Sequence, residues 1–133
     1  MPLRLPAWIS PKITIDATPA EFEFSGPGGV VRYSTLIRLN DARKILQIGD
    51  DALRDEPASS LIRLFEPRFD RDAFVRFCRY SLLLAQGSSS FAKPAVLFRG
   101  AADLRDLLGG DAAAMLEGCL LEAGAARSEI RFG

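Results

Sequence analysis

Histidine is absent from the sequence, and cysteine occurs only twice among its 133 residues. Without histidine there is no Ser-His or Cys-His nucleophile pair, and the commonest nitrogen ligand of metals is missing. Cys78 and Cys119 lie in separate apolar helical segments, and with no further cysteine they cannot complete a tetrahedral zinc site. We therefore expect two buried free thiols in a reducing cytoplasm, with no redox role.

The sequence also lacks an excess of charge of either sign. Its 17 basic and 17 acidic residues cancel, so no long-range field attracts nucleic acid. No apolar run approaches the roughly 20 residues that span a bilayer, and the start lacks the apolar core of a signal peptide. We expect a cytoplasmic protein without a nucleic-acid partner.

The first nine residues offer one alternative, contact with a membrane surface. Their large apolar side chains are Leu3, Leu5, Trp8 and Ile9. Prolines interrupt the amphipathic helix that surface anchors usually form, so we favour packing of Trp8 against the domain. Liposome binding that is lost on Trp8→Ala would indicate the membrane contact instead.

The residues that are present have the composition of a globular domain. Apolar residues make up 48% of the chain and charged residues 26%. A chain of this length buries roughly two-thirds of the surface that its unfolded form exposes, which is enough for a core. We expect one domain over residues 1–133.

Alternation of apolar and polar residues predicts an antiparallel meander in the first part of the chain. The first strand covers residues 12–18, and Phe22 and Phe24 mark the second. A third strand over residues 31–39 places Arg32, Ser34 and Arg38 on the opposite face from Tyr33, Thr35, Ile37 and Leu39. A fourth short strand over 44–48 is the last before the first long helix.

A helical turn over residues 51–54 and an extended segment over 60–65 follow. Asp70 is typical of a helix N-cap, and the helix that it begins runs to about Gln86. Its apolar face is Ala73, Phe74, Phe77, Cys78, Ser81 and Leu82.

The second part of the chain alternates strands and helices. The apolar run over 94–98 predicts a central strand, and a short helix over 100–108 closes at Gly109-Gly110. Asp111 then caps a helix with the apolar face Ala112, Met115, Leu116, Cys119, Leu120 and Ala123. A last strand over 129–132 completes a right-handed parallel crossover.

Three passages resemble a known family. The first passage, Ile13-Thr14-Ile15-Asp16, is similar to a first strand that enters a phosphate loop. The second passage, residues 34–38 and 44–52, is similar to the next strands of that family. The third passage, residues 93–97 and 121–125, is similar to a later strand and the end of a helix. The chain resembles the first subdomain of the bacterial actin-like MreB, or rod-shape-determining, family. The resemblance implies an α/β ribonuclease H-like fold. In that fold a mixed sheet begins with an antiparallel meander and continues with parallel strands, and helices flank the sheet.

The sequence departs from that family where the ATP phosphates would be held. The family follows its first-strand aspartate with leucine, glycine and threonine, whereas Asp16 is followed by Ala17, Thr18 and Pro19. Thr18 adds a Cβ where the family has glycine, and Pro19 has no N–H to donate. We interpret these four positions as a vestigial phosphate loop and expect no cofactor. The second half of an actin-like chain, with its second phosphate loop and adenosine pocket, would follow beyond residue 133.

Two hypotheses follow from the resemblance and its departures. The first is a non-catalytic module that binds a protein partner or itself, through a sheet edge or through an apolar surface turned toward the second half. The second is a nucleotide- or metal-dependent enzyme in which Asp16 binds a metal. Such chemistry needs further carboxylates, for which the candidates are Asp103, Asp106 and Asp111. We favour the first hypothesis, with no catalytic residues.

The densest basic stretch is a separate candidate for anion binding. It comprises Arg63, Arg68, Arg71, Arg76 and Arg79. Asp70 and Asp72 lie among these arginines and dilute their charge, so a solvated helix face is favoured over a phosphate site.

Overall fold

The computed structural model describes residues 11–42, 44–53, 61–87 and 92–133; the predictions for Trp8, Arg54 and Ser60 lie outside these ranges. The strands are β1 (Lys12–Ala17), β2 (Glu21–Gly26), β3 (Gly29–Ser34), β4 (Leu36–Leu39), β5 (Ile45–Ile48), β6 (Leu61–Arg63), β7 (Ala95–Gly100) and β8 (Arg127–Phe132). The helices are a 3₁₀ turn (Gly49–Leu53), α1 (Arg71–Gln86), α2 (Ala102–Leu108) and α3 (Ala112–Glu122). None of these helices is long and apolar enough to cross a membrane.

A five-stranded sheet in the order β3-β2-β1-β7-β8 forms the centre of the fold. β1, β2 and β3 are antiparallel neighbours, and β7 lies parallel to β1 while β8 lies parallel to β7. The predicted order of an antiparallel meander followed by parallel strands is therefore confirmed, as is the mixed α/β fold class. The predicted first, second and last strands are present within two residues of their expected bounds.

One face of this sheet carries the hydrophobic core. The alternation along each strand sends Ile13 and Ile15 of β1, Phe22 and Phe24 of β2, and Val96 and Phe98 of β7 to the same side, where all six are buried. The Phe22 ring lies 5.7 Å from Phe74 and from Phe77 of α1 and 5.8 Å from Phe98, measured between centroids. Phe22 therefore joins the sheet to the helix that covers it.

The opposite face of the sheet carries charges that pair across and along its strands. Arg99 binds Asp16, Arg32 binds Glu23, and Arg131 binds Glu129. These side chains are between 30% and 63% exposed. Strands of parallel sheets are usually covered on both faces, so a polar open face on β1, β7 and β8 marks a two-layer arrangement.

Helix α1 begins and ends as its sequence predicts. The Asp70 carboxylate accepts a hydrogen bond from the Ala73 N–H at 3.0 Å, which confirms the N-cap. The predicted apolar face is buried along its whole length. At the other end, the Gly28 N–H of the β2–β3 hairpin donates to the Ala85 carbonyl at 2.7 Å. A Cβ on Gly28 would lie 2.6 Å from the Leu84 carbonyl oxygen, so only glycine permits this contact.

The prediction of one strand over residues 31–39 is wrong, because the chain bends at Thr35. The Thr35 N–H donates to the Ala20 carbonyl, and its hydroxyl donates to the Pro19 carbonyl at 2.6 Å. These bonds end β3 and direct the chain into β4, which belongs to a second sheet of order β5-β4-β6. Six described strands therefore precede α1, where the sequence predicted four.

Arg38 shows the consequence of that bend. The single-strand prediction placed Arg38 on an exposed face, yet only 2% of it is accessible. Its Nε donates to the Ala52 carbonyl at the end of the 3₁₀ turn. A buried guanidinium needs such acceptors, and the new strand direction supplies one.

One element boundary and one helix cap in the second half also differ from prediction. β7 runs to Gly100 rather than Phe98, so the following helix α2 begins at Ala102. Asp111 occupies the N-cap position of α3, but its carboxylate accepts no capping hydrogen bond. Its φ of −99° and ψ of 22° differ from the extended backbone of a capping residue, which accounts for the missing bond.

We expect Phe22→Ala to lower the free energy of unfolding by about 3–5 kcal/mol, because it leaves a cavity among five other phenylalanines. Urea denaturation measures the change. Leu83→Ala, at a position that is 64% exposed, should change it by less than about 0.5 kcal/mol. Equal losses for both variants would contradict the assignment of the core.

Candidate functional site

The candidate site lies where β1 and β7 end, next to the turn between β1 and β2. An open concavity of about 610 Å³ is present there. Its lining residues are Asp16, Ala17, Thr18, Glu21, Glu23, Arg99, Gly100, Ala101 and Gly133. Three of the four residues of the predicted vestigial phosphate loop therefore line one surface, and Pro19 lies in the adjoining turn.

Thr18 closes that turn on itself. Its hydroxyl oxygen accepts hydrogen bonds from the Ala20 N–H at 3.3 Å and from the Glu21 N–H at 3.1 Å. The Thr18 N–H donates to the Glu21 carbonyl at 2.9 Å. Pro19 has no N–H, so all the amide donors of residues 18–21 are engaged within the turn.

Asp16 is bound by one arginine through both of its oxygens. Arg99 Nε lies 2.7 Å from Oδ1, and Arg99 Nη2 lies 2.9 Å from Oδ2. This bidentate geometry is the strongest that an arginine and a carboxylate form. The hydrogen bond to Asp16 raises the pKa of the Arg99 guanidinium above its ordinary value, which favours its charged form.

The sequence prediction did not point to Arg99, because the predicted strand ended at Phe98 and β7 runs to Gly100. In the parallel register of β1 and β7, Ile15 lies beside Phe98 and Asp16 beside Arg99. Near its end, each strand therefore has a buried apolar residue followed by a charged residue on the open face. The matching apolar-then-charged ends of two parallel strands were the signal in the sequence that pointed to the ion pair.

The other acids of the concavity are engaged by a second arginine. Arg32 Nη2 lies 2.5 Å from Glu23 Oε1, and Arg32 Nε lies 3.6 Å from Glu21 Oε1. Within the ranges that the structure describes, no three His, Cys, Asp or Glu side chains are grouped to hold a metal. The residues present therefore do not fit a carboxylate-bound metal centre.

The three additional carboxylates that the enzyme hypothesis needs lie elsewhere. Asp103 is exposed in the first turn of α2, Asp106 lies beside Arg105 at 3.7 Å, and Asp111 precedes α3. None of them lines the concavity that holds Asp16. The structure therefore does not bring these four acids together.

The arginines of α1 stabilise helix packing. Arg71 Nη2 lies 2.6 Å from Glu122 Oε2, and Arg79 Nη2 donates to the Glu122 carbonyl at 2.6 Å, which fastens α1 to the end of α3. Arg76 pairs with Asp72 one turn away. The hydrogen bond from Arg71 lowers the pKa of Glu122 below its ordinary value. This arrangement favours helix packing by Arg71 and Arg79 over phosphate binding, whereas the sequence had favoured a solvated helix face.

Both cysteines are buried free thiols, as expected. Burial raises the pKa of Cys78 well above its ordinary value, and burial also raises that of Cys119. Because the thiolate is the nucleophile and metal ligand, neither thiol is activated.

Comparison with solved structures identifies the fold. The chain is similar to MreB5 of Spiroplasma citri bound to AMPPNP, with a TM-score of 0.67 and 17% identity, and to the same protein bound to ADP, with a TM-score of 0.63 and 17% identity. Both matches cover 92% of this chain and 38% of the MreB5 chain. No protein-family model and no curated protein matches the sequence. The chain therefore has an MreB-like, actin-type fold. It spans somewhat more than a third of the length of MreB5.

We expect Thr18→Val to speed hydrogen exchange at the Ala20 and Glu21 amides by about tenfold, because it removes the acceptor that both share while keeping side-chain volume. Amide exchange followed by NMR measures this. Thr14→Val is the matched control, since the Thr14 hydroxyl bonds to none of the described residues. Unchanged exchange at Ala20 and Glu21 in Thr18→Val would show that the hydroxyl does not hold the turn.

Proposed function

We propose that this MreB-like fold serves as a non-catalytic protein-interaction module of the bacterial cytoplasm, related to the cytoskeleton and cell shape, which has lost ATP binding. The observation that carries the proposal is the Thr18 turn, whose N–H groups are all engaged within the turn itself. The fold is that of MreB5, a protein whose structures hold AMPPNP and ADP.

A phosphate cradle of the backbone type needs several N–H groups that point away from the protein. To free the Ala20 and Glu21 amides, a phosphate has to displace the Thr18 hydroxyl from both of them. Pro19 contributes no donor even then. The turn is complete without a ligand, which supports the loss of nucleotide binding.

The charges around the turn support the same conclusion. Glu21 and Glu23 line the concavity together with Asp16, and Arg99, the arginine among its lining residues, is already paired with Asp16. Both Asp16 oxygens are bound by that arginine, so a magnesium ion would have to compete with it. An aspartate that orients magnesium-bound water needs those acceptor positions. The Asp16–Arg99 pair therefore favours a structural role for Asp16 over metal binding.

The surface of the sheet favours its edge as the place of interaction. The open face of the sheet carries the ion pairs of Asp16, Glu23 and Glu129. Desolvating such pairs opposes tight face-to-face association. The free edge of a sheet presents main-chain donors and acceptors, which pair with another strand without that penalty.

We expect saturating ATP with Mg²⁺ to leave the thermal unfolding temperature of this chain unchanged within error. A ligand at a hundred times its dissociation constant stabilises a protein by about 2.7 kcal/mol, which shifts such a midpoint by several degrees. MreB5 of Spiroplasma citri, whose structure holds ADP, is the positive control in the same assay.

A saturable rise in the unfolding temperature would contradict the loss of ATP binding. In that case Asp16→Asn distinguishes the alternative, an enzyme in which Asp16 binds the metal. Loss of a magnesium-dependent rise in that variant would support the enzyme.

A further inference from the structure

Among the residues that the structure describes, strand β8 is an open edge of the five-stranded sheet. It is the last strand in the order, and it pairs with β7 in unbroken register from Arg127 to Phe132. Natural edges are usually shortened, bulged, or blocked by proline or lysine. β8 is a regular six-residue strand without proline or lysine, and its three charged residues, Arg127, Glu129 and Arg131, are of both signs. At the other edge, β3 is tied to the 3₁₀ turn by a hydrogen bond from Ser34 to Asp50.

The outward groups of β8 follow from its pairing with β7. The Gly133 N–H donates to the Gly100 carbonyl at 3.1 Å, at the end of the ladder. Because main-chain groups alternate in direction along a strand, those of Ser128, Ile130 and Phe132 point away from β7. Ile130 thus lies at the middle of the free edge, with a donor and an acceptor available to another strand.

The charges of β8 complement themselves when the strand meets a second copy running in the opposite direction. With Ile130 opposite Ile130 of the second copy, Glu129 lies opposite Arg131 and Arg131 opposite Glu129. The two side chains are 59% and 63% exposed and project from the open face. Opposite charges directly across a strand pair stabilise it, and like charges destabilise it.

Other registers are less favourable. Centring the pair on Glu129 places Arg127 opposite Arg131 in both halves, which is repulsive. Centring it on Ser128 leaves Ile130, Arg131 and Phe132 beyond the partner's β8. The register about Ile130 pairs five of the six residues of the strand, from Ser128 to Phe132, and matches their charges. In that register the half-buried Ile130 and Phe132 also meet the second copy on the helix-covered face.

We propose that the chain forms a two-fold symmetric dimer through antiparallel pairing of β8 with β8 of a second copy, centred on Ile130. The two five-stranded sheets then form one continuous sheet, whose open face carries a cluster of four charges at the dimer axis. A two-fold axis is the commonest way in which identical chains associate. This inference rests on the proposed interaction function, and it names the surface and the partner.

Charge reversal tests the register directly. Sedimentation equilibrium of the wild-type chain should give twice the monomer mass of 14.5 kDa. Glu129→Arg and Arg131→Glu each replace both attractive pairs by repulsive ones, and each should raise the dimer dissociation constant by about tenfold or more. Mixing the two variants should restore a dimer, because each then meets the opposite charge. The double variant Glu129→Arg/Arg131→Glu should dimerise like the wild type.

Glu21→Arg is the matched control, since it reverses a charge on the same open face three strands away and should leave the dimer intact. Circular dichroism confirms that each variant is folded. A wild-type monomer at all concentrations overturns the dimer. A dimer that neither single reversal weakens, or that mixing does not restore, overturns the β8 register. None of these dimerisation results bears on ATP binding, which the thermal titration tests separately.

Discussion

The structure depends on one constraint, which is that the five strands of the central sheet send most of their large apolar side chains to the same side. Phe22 lies at the centre of that layer, with aromatic rings from α1, β7 and the segment after β6 around it. In sequence, β2 and β7 are far from each other and from the stretch that holds Phe65 and α1. Because all of them bury a ring against Phe22, the position of the second sheet and of α1 is set by the same contacts that fix the meander.

The same constraint leaves the other face of the sheet to polar residues. No layer among the described residues covers that face, which carries arginine–carboxylate pairs that water solvates. Asp16 belongs to this set through Arg99. Asp16, which lies where the first-strand aspartate of the resemblance would be, is thus part of a ladder of surface ion pairs. Thr18 is the hydrogen-bond acceptor of the adjacent turn, so both positions make contacts within the fold.

Local patterns in the sequence were enough to predict most of the fold. The alternation around Phe22 and Phe24 predicted β2, and Asp70 predicted the start of α1. The bend at Thr35 was not predictable in this way, because it is made by hydrogen bonds to Ala20 and to Leu64, which are distant in the chain. Because the alternation of apolar and polar residues continues through Thr35, it does not indicate that the chain passes to a second sheet there.

The candidate site was predicted less well than the fold. The sequence identified Thr18 and Pro19 as unfavourable for phosphate, and the hydrogen bonds of the turn support that interpretation. It did not identify Arg99, whose pairing with Asp16 depends on the parallel register across 83 residues. The apolar-then-charged ends of the two strands were the available signal, but their pairing also depends on the tertiary register of β1 and β7.

The central claim is that the turn from Thr18 to Glu21 has no donor left for a phosphate. Amide NMR resonances of the chain, followed while AMPPNP and Mg²⁺ are added, test this most directly. The account predicts that the Thr18, Ala20 and Glu21 resonances stay in place at millimolar nucleotide. Saturable shifts at these three amides, with release of the Thr18 hydroxyl from Ala20 and Glu21, would contradict it.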